Sequence, residues 1–248
     1  RLLVTGGAGF IGSNFVRRII DGTFSGISQV TVLDKLTYAG TLKNLEMLPK
    51  NSFEFIQGDI SDPELVNELC KKHDAIVNFA AESHVDNSIR SSEEFLHSNI
   101  DGVYNILELL KQHSKKEGGI CPVLLHFSTD EVYGDIETGH HIETDLLKPS
   151  NPYSATKAAA DMLILAWART YNIDYIIVRP TNNYGIGQYV EKLIPKSIKF
   201  LSLGRKIPLH NIGSPIRNWL HASDTANGGI GLSYSITGSS IGYGGGGG

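Results

Sequence analysis

The chain has 248 residues, 22 Lys+Arg against 26 Asp+Glu, a formal charge of -4 and 41% hydrophobic residues. That balance suits a globular protein with a sizeable core, and it excludes nucleic-acid binding driven by bulk positive charge. No apolar run approaches the ~18 residues of a membrane-spanning helix, and two cysteines, Cys70 and Cys121, are too few for a disulfide framework.

In chain order, six short apolar runs read as strands: Leu2–Val4, Val30–Leu33, Phe53–Ile56, Ala75–Phe79, Val123–Phe127 and Tyr175–Val178. Most are nearly continuous in apolar residues, as strands of a parallel sheet covered on both faces are. Amphipathic stretches lie between them. Phe10–Ile20 opens after a glycine cluster. Pro63–Lys71 starts behind Asp62, a natural N-cap. Two longer helices are expected over Ser92–Ser114 and Tyr153–Tyr171. The alternation predicts an α/β fold with a doubly wound parallel sheet over residues 1–180. Residues 181–248 read as a smaller, incompletely represented substrate domain. It comprises a turn or loop at Asn182–Gly185, a helix over Tyr189–Leu203 and extended pieces at Ile207–His210 and Arg217–His221. Ten of the 27 glycines follow Asn227; residues 227–248 show no pattern, and no function is read from them. The N-terminus shows no signal peptide, so a reduced, cytoplasmic setting is expected.

Chemistry concentrates at three places. Thr5-Gly6-Gly7-Ala8-Gly9-Phe10-Ile11-Gly12 joins the first strand to the first helix. Glycines there permit a tight turn and close approach of a pyrophosphate to the helix N-terminus. Asp34 ends the second strand, where a carboxylate accepts from an adenosine ribose and repels a 2′-phosphate, so NAD is expected over NADP. Tyr153 and Lys157 share one helix face; a fixed ammonium is expected to lower the phenol pKa and make it a base for a hydroxyl proton. Thr129 can bond the same substrate oxygen. Asp130 and Glu131 follow at the carboxyl end of a strand, where ligands of such sheets bind.

These segments, with Asp34–Gly40, Gly58–Ile60, Phe79–Asp86, Ser128–Gly134 and Asn182–Gly185, resemble the extended short-chain dehydrogenases/reductases that act on nucleotide sugars, and within them the dTDP-glucose 4,6-dehydratase family. The resemblance runs from the first residue to about Ala226. It implies a Rossmann-type domain carrying the catalytic residues Thr129, Asp130, Glu131, Tyr153 and Lys157, with Asp130 as acid and Glu131 as base. It implies C4 oxidation, elimination of water across C5 and C6, and return of the hydride to C6 of a dTDP- or UDP-glucose. NAD contacts are implied for Gly6, Gly9, Phe10, Ile11, Gly12, Asp34, Lys35, Leu36, Thr37, Asp59, Ile60, Ala80, Ala81, Ser98, Tyr153, Lys157 and Asn183. Substrate contacts are implied for Ser83, Thr129, Asn182, Lys192, Leu193, Pro208, His210 and Arg217. His210 stands where the family often has Tyr, and Asn211-Ile212-Gly213 replaces its Gly-Asp-Gly, so thymidine against uridine stays open. The family uses no metal, and His84, His140, His141 and His221 are given ordinary polar roles. Its members are longer, and they dimerise through two long helices per subunit in a four-helix bundle; Val103, Ile106, Leu107, Leu110, Leu163, Leu165 and Trp167 are the apolar material at hand. The rival readings are a nucleotide-sugar epimerase or decarboxylase, which lacks the Asp130 type of residue, and a non-catalytic NAD-binding regulator, which has no need of both Tyr153 and Lys157.

Overall fold

The computed structural model describes residues 1–114, 121–207 and 217–228. The six apolar runs pair as one parallel sheet: β1 (Leu2–Thr5), β2 (Val30–Asp34), β3 (Glu54–Gln57), β4 (Ala75–Asn78), β5 (Val123–Phe127) and β6 (Tyr175–Val178), in the order β3-β2-β1-β4-β5-β6. The order reverses between β1 and β4, and ligands of doubly wound sheets bind at the carboxyl ends beside that reversal. This is the Rossmann-type sheet expected from the sequence.

Alternation along the strands sorts the core into two layers. Leu3, Leu33, Ile76 and Leu124 meet Ile106, Leu107 and Leu110 of α5 (Gly102–Ser114) and Ile164 of α6 (Pro152–Tyr171). Val4, Val32, Val77 and Leu125 meet Phe15, Val16 and Ile19 of α1 (Phe10–Ile20) and Ala226 of α8 (Ala222–Gly228). Each such Leu or Ile contributes about 1.5–3 kcal/mol relative to an exposed one. Val103, Ile106, Leu107 and Leu110 are fully enclosed within one chain, which corrects their assignment to a subunit interface. The large apolar side chains exposed on α5 and α6 are Tyr104, Met162 and Leu165, while Leu163 and Trp167 are partly buried against the core.

Local chemistry sets the element ends. Asp62 caps α2 (Pro63–Cys70) through Glu64 N and Leu65 N. Asn151 and Ser154 form a capping box on α6, with Pro152 in its first turn, and the helix ends at Asn172 in the left-handed region (φ 55°). The single helix expected over Ser92–Ser114 is interrupted. Beyond α3 (Val85–Arg90), a short α4 (Glu93–Leu96) passes into a π turn at His97–Asp101 before α5. Buried Asn99 explains the widening: it donates to Glu82 O (3.0 Å) and Thr156 Oγ1 (2.9 Å) and accepts from Glu82 N (2.9 Å). π turns of this kind recur at functional sites.

Three further expectations change in the C-terminal part. Asn182–Tyr184 is not a turn but strand β7, paired in parallel with β8 (Trp219–His221). Its polar composition hid it, because Asn183 bonds through its side chain to Thr181 O (2.8 Å) and to the Thr225 hydroxyl. The helix expected from Tyr189 begins only at Leu193 (α7, Leu193–Ser202), behind Lys192. Asn227, set aside with the tail, closes α8 against α1 by accepting from Arg18 Nη2 at 2.8 Å. Among the described residues no helix is long and apolar enough to cross a membrane.

Candidate active site

A cavity of about 470 Å³ opens at the carboxyl ends of the strands. Every site residue expected from the sequence lines it except Leu36, Pro208 and His210. Pro208 and His210 lie outside the described residues.

The floor is the turn from β1 into α1. Gly6 sits at φ +68°, and a Cβ there would stand 2.5 Å from Ala80 N, so only glycine fits. Gly9 caps α1 without a side-chain bond, and the first turn carries no acidic residue. Its leading N–H groups are therefore left to an anionic ligand rather than a side-chain carboxylate. Asp34 Oδ2 accepts from Ala8 N (2.9 Å) and Oδ1 from Leu36 N (2.8 Å). Burial raises the Asp34 pKa against those bonds. Leu36 thus serves through its backbone, while its side chain packs into the core beside α1. Lys35 is engaged by Asp59 at 2.8 Å. An open helix terminus, a glycine turn without room for side chains and a fixed carboxylate at the end of β2 fit a dinucleotide.

The other wall is built from β5 and α6. After β5 the chain makes a 3-10 turn, Asp130–Tyr133, capped by Thr129 Oγ1 accepting from Glu131 N (3.3 Å). Burial raises the Asp130 pKa; hydrogen bonds from Thr181 and Thr129 and the charge of Arg217 oppose it. Glu131 Oε2 accepts from Asn151 Nδ2 at 3.2 Å. Lys157 Nζ donates to Phe127 O (2.7 Å) and lies 3.3 Å from His126 Nε2. Burial brings its pKa down to about 8, with Asp161 opposing. The phenol of Tyr153 departs from expectation. Its pKa is raised, first by burial and then by the charge of Glu131, while a bond with Thr129 pulls the other way. The ammonium is committed to the Phe127 carbonyl, and burial and Glu131 prevail at the phenol.

On the substrate side, Asn182 and Asn183 come from β7, Leu193 opens α7 and Arg217 precedes β8. Lys192 Nζ donates to Ser83 O (3.0 Å). The cavity also takes in Glu82, Thr181, Gln188, Tyr189, Glu191 and Trp219, none of them expected. Thr181 adjoins the Asn182-Asn183 motif and was within reach of sequence reasoning. Gln188–Glu191 was hidden by the helix assigned from Tyr189. Among the described residues no cluster of His, Cys, Asp or Glu could hold a metal ion.

The family model described as the NAD dependent epimerase/dehydratase family matches residues 2–230. A dTDP-glucose 4,6-dehydratase of Streptomyces niveus is 48% identical over 227 residues, covering 90% of this chain and 66% of the relative; the chain thus spans just under two thirds of that relative's length. A double mutant of DesIV, a dTDP-glucose 4,6-dehydratase from Streptomyces venezuelae solved with NAD bound, superposes with a TM-score of 0.88 at 41% identity, over 92% of this chain and 70% of that one. The UDP-glucose 4-epimerase of Thermus thermophilus, in complex with NAD, gives 0.81 at 26% identity, over 95% and 75%.

Proposed function

This chain belongs to the NAD dependent epimerase/dehydratase family and, within it, to the dTDP-glucose 4,6-dehydratases, and we propose that it dehydrates a nucleoside-diphosphate glucose, dTDP- or UDP-glucose, to the 4-keto-6-deoxy sugar. The observation that carries this reading is Asp130. A carboxyl whose pKa burial raises stands in the same cavity as Glu131, Tyr153 and Lys157. Epimerisation at C4 needs no acid at C6, and a carboxyl shifted by burial toward its neutral form is suited to protonate a departing hydroxyl.

The cofactor implied is NAD, with the Gly6–Gly12 turn and the α1 terminus for its pyrophosphate, Asp34 for a ribose and Tyr153 with Lys157 at the reacting end; when bound it supplies the hydride acceptor for C4 and the donor for C6. The positive charge that bound NAD would bring to this end of the cavity would oppose burial and the Glu131 charge at Tyr153, and the Tyr153 phenolate so favoured, bonded to Thr129, takes the C4 hydroxyl proton. With a ketone at C4 the C5 hydrogen is acidic, and Glu131 removes it. Asp130 gives its proton to the C6 hydroxyl, which leaves as water. Glu131, whose proton meanwhile exchanges with water, then protonates C5. Over one turnover Tyr153 gains a proton and Asp130 loses one, and exchange with water resets both. Arg217 fits a diphosphate, which a guanidinium clamps through two hydrogen bonds.

The test is direct. The chain loaded with NAD is incubated with dTDP-glucose and with UDP-glucose, and the products are treated with alkali. Appearance of the ultraviolet band of a 4-keto sugar with one of them is expected; its absence with both overturns the reading.

A homodimer is part of the same proposal, with Tyr104, Met162 and Leu165 as its apolar contribution from α5 and α6, since exposed apolar groups grouped on neighbouring helices favour a partner. Light scattering at micromolar concentration is expected to give twice the chain mass, and the double variant Met162→Arg, Leu165→Arg the single mass. A monomeric parent chain refutes the dimer.

A further inference from the structure

We infer that Arg179 is a positioning residue for the elimination step, tying the turn that carries Asp130 and Glu131 to α6 behind the cavity. Arg179 follows β6, and its two sets of bonds run in different directions. Nε donates to Asp161 Oδ2 at 2.8 Å, while Nη1 donates to the hydroxyl oxygen of Tyr133 at 2.6 Å and to Glu143 O at 3.4 Å. Tyr133 is the last residue of the 3-10 turn that begins at Asp130. Its ring lies 5.0 Å from the guanidinium and stacks on His141 at 5.1 Å. Asp161 has no exposed surface and stands one helical turn beyond Lys157, on the same side of α6. Neither Arg179, Tyr133 nor Asp161 lines the cavity, so all three act through residues that do.

The two halves of the proposed reaction depend on this clamp unequally. C4 oxidation uses Tyr153 and Lys157, held by the capping box and core packing of α6. Elimination needs two carboxyls at the two ends of one carbon–carbon bond, and both ride on a four-residue turn. The described side-chain bonds of Asp130 and Glu131 run to Thr129, Thr181 and Asn151; the far end of the turn is held by Arg179 at Tyr133. A misplacement of ~1 Å at reacting groups costs on the order of 10²-fold in rate. The planar guanidinium holds Asp161 and Tyr133 at a fixed mutual angle, which a lysine does not reproduce.

The inference rests on the dehydration reading, and the experiment separates the two. Tyr133→Phe and Arg179→Lys are compared with the parent chain, each loaded with NAD. C4 oxidation is followed on rapid mixing by the rise of reduced-nicotinamide absorbance, and elimination by deuterium entering C5 from heavy water. Both variants are expected to lose about 10- to 100-fold in elimination, with C4 oxidation, KM and melting temperature close to the parent's. Reduced nicotinamide should accumulate during turnover, because a later step now limits it. Loss of both steps together, or of neither, overturns the positioning role. A parent chain that forms no 4-keto product removes the reading itself and this inference with it. Should Arg179→Lys fail to fold, Tyr133→Phe, which deletes one oxygen, decides alone.

Discussion

With Glu131→Gln, turnover of the sugar is expected to fall ~10²–10⁴-fold, the range a general base contributes, while C4 oxidation proceeds. The amide cannot take the C5 proton, yet its oxygen still accepts from Asn151 Nδ2, the contact Glu131 makes at 3.2 Å. The 3-10 turn and the placement of Asp130 are therefore retained. Rapid mixing should show the absorbance of reduced nicotinamide rise and persist, and proton NMR should show no methyl signal from the product. Unchanged turnover in this variant would falsify the assignment of Glu131 as the base and move that role to another group of the cavity.

Lys157→Met carries the second large effect, and it acts on activity and stability in opposite senses. Removing the cation from the reacting end of the cavity is expected to cost ~10²–10³-fold in turnover. Stability follows from the buried ammonium, whose pKa is about 8 in the fold against an ordinary 10.5. At neutral pH the amine is protonated in both the folded and the unfolded chain, and folding carries the full cost of burying the charge. As pH rises through about 8, the folded chain releases the proton while the unfolded chain keeps it up to 10.5. Stability gains wherever the unfolded state binds more protons, here by ~3 kcal/mol across that window. The parent chain should therefore gain on Lys157→Met by on the order of 5–10 °C in melting temperature between neutral and about pH 10. Parallel pH profiles for the two chains would show that the ammonium is not held against burial.

Both effects turn on residues whose positions were legible from the sequence, and it is instructive where that legibility stopped. The β-strands were readable because a sheet covered on both faces demands nearly continuous apolar residues, as Val30–Leu33 and Val123–Phe127 show. The cavity residues were readable because they lie at fixed offsets from strand ends. Asn182–Tyr184 was not readable as a strand: its stability comes from pairing with Trp219–His221 and from side-chain bonds of Asn183, neither of which leaves a period in the chain. The π turn at His97–Asp101 was equally invisible, since its cause is Asn99 reaching Glu82 and Thr156 across the fold. Arg179 carries no signal in the sequence beyond its place after a strand, because its meaning lies in Asp161 and Tyr133, 18 and 46 positions away. The Tyr153 phenol shows the same limit in electrostatics. Spacing places an ammonium nearby, but only the fold shows that burial and Glu131 outweigh it.

The ion pair between Lys35 and Asp59 (2.8 Å) has a bearing on redesign. A phosphorylated ribose would need a cation beside it, and the one adjacent to Asp34 already has a carboxylate partner. Neutralising Asp34 alone would remove a repulsion without freeing that cation, and would also strip acceptors from the Ala8 and Leu36 amides that shape the loop. Converting this site to the phosphorylated dinucleotide therefore calls for two coordinated moves, at Asp34 and at Asp59. Cofactor preference here is a property of a three-residue circuit rather than of one acidic side chain.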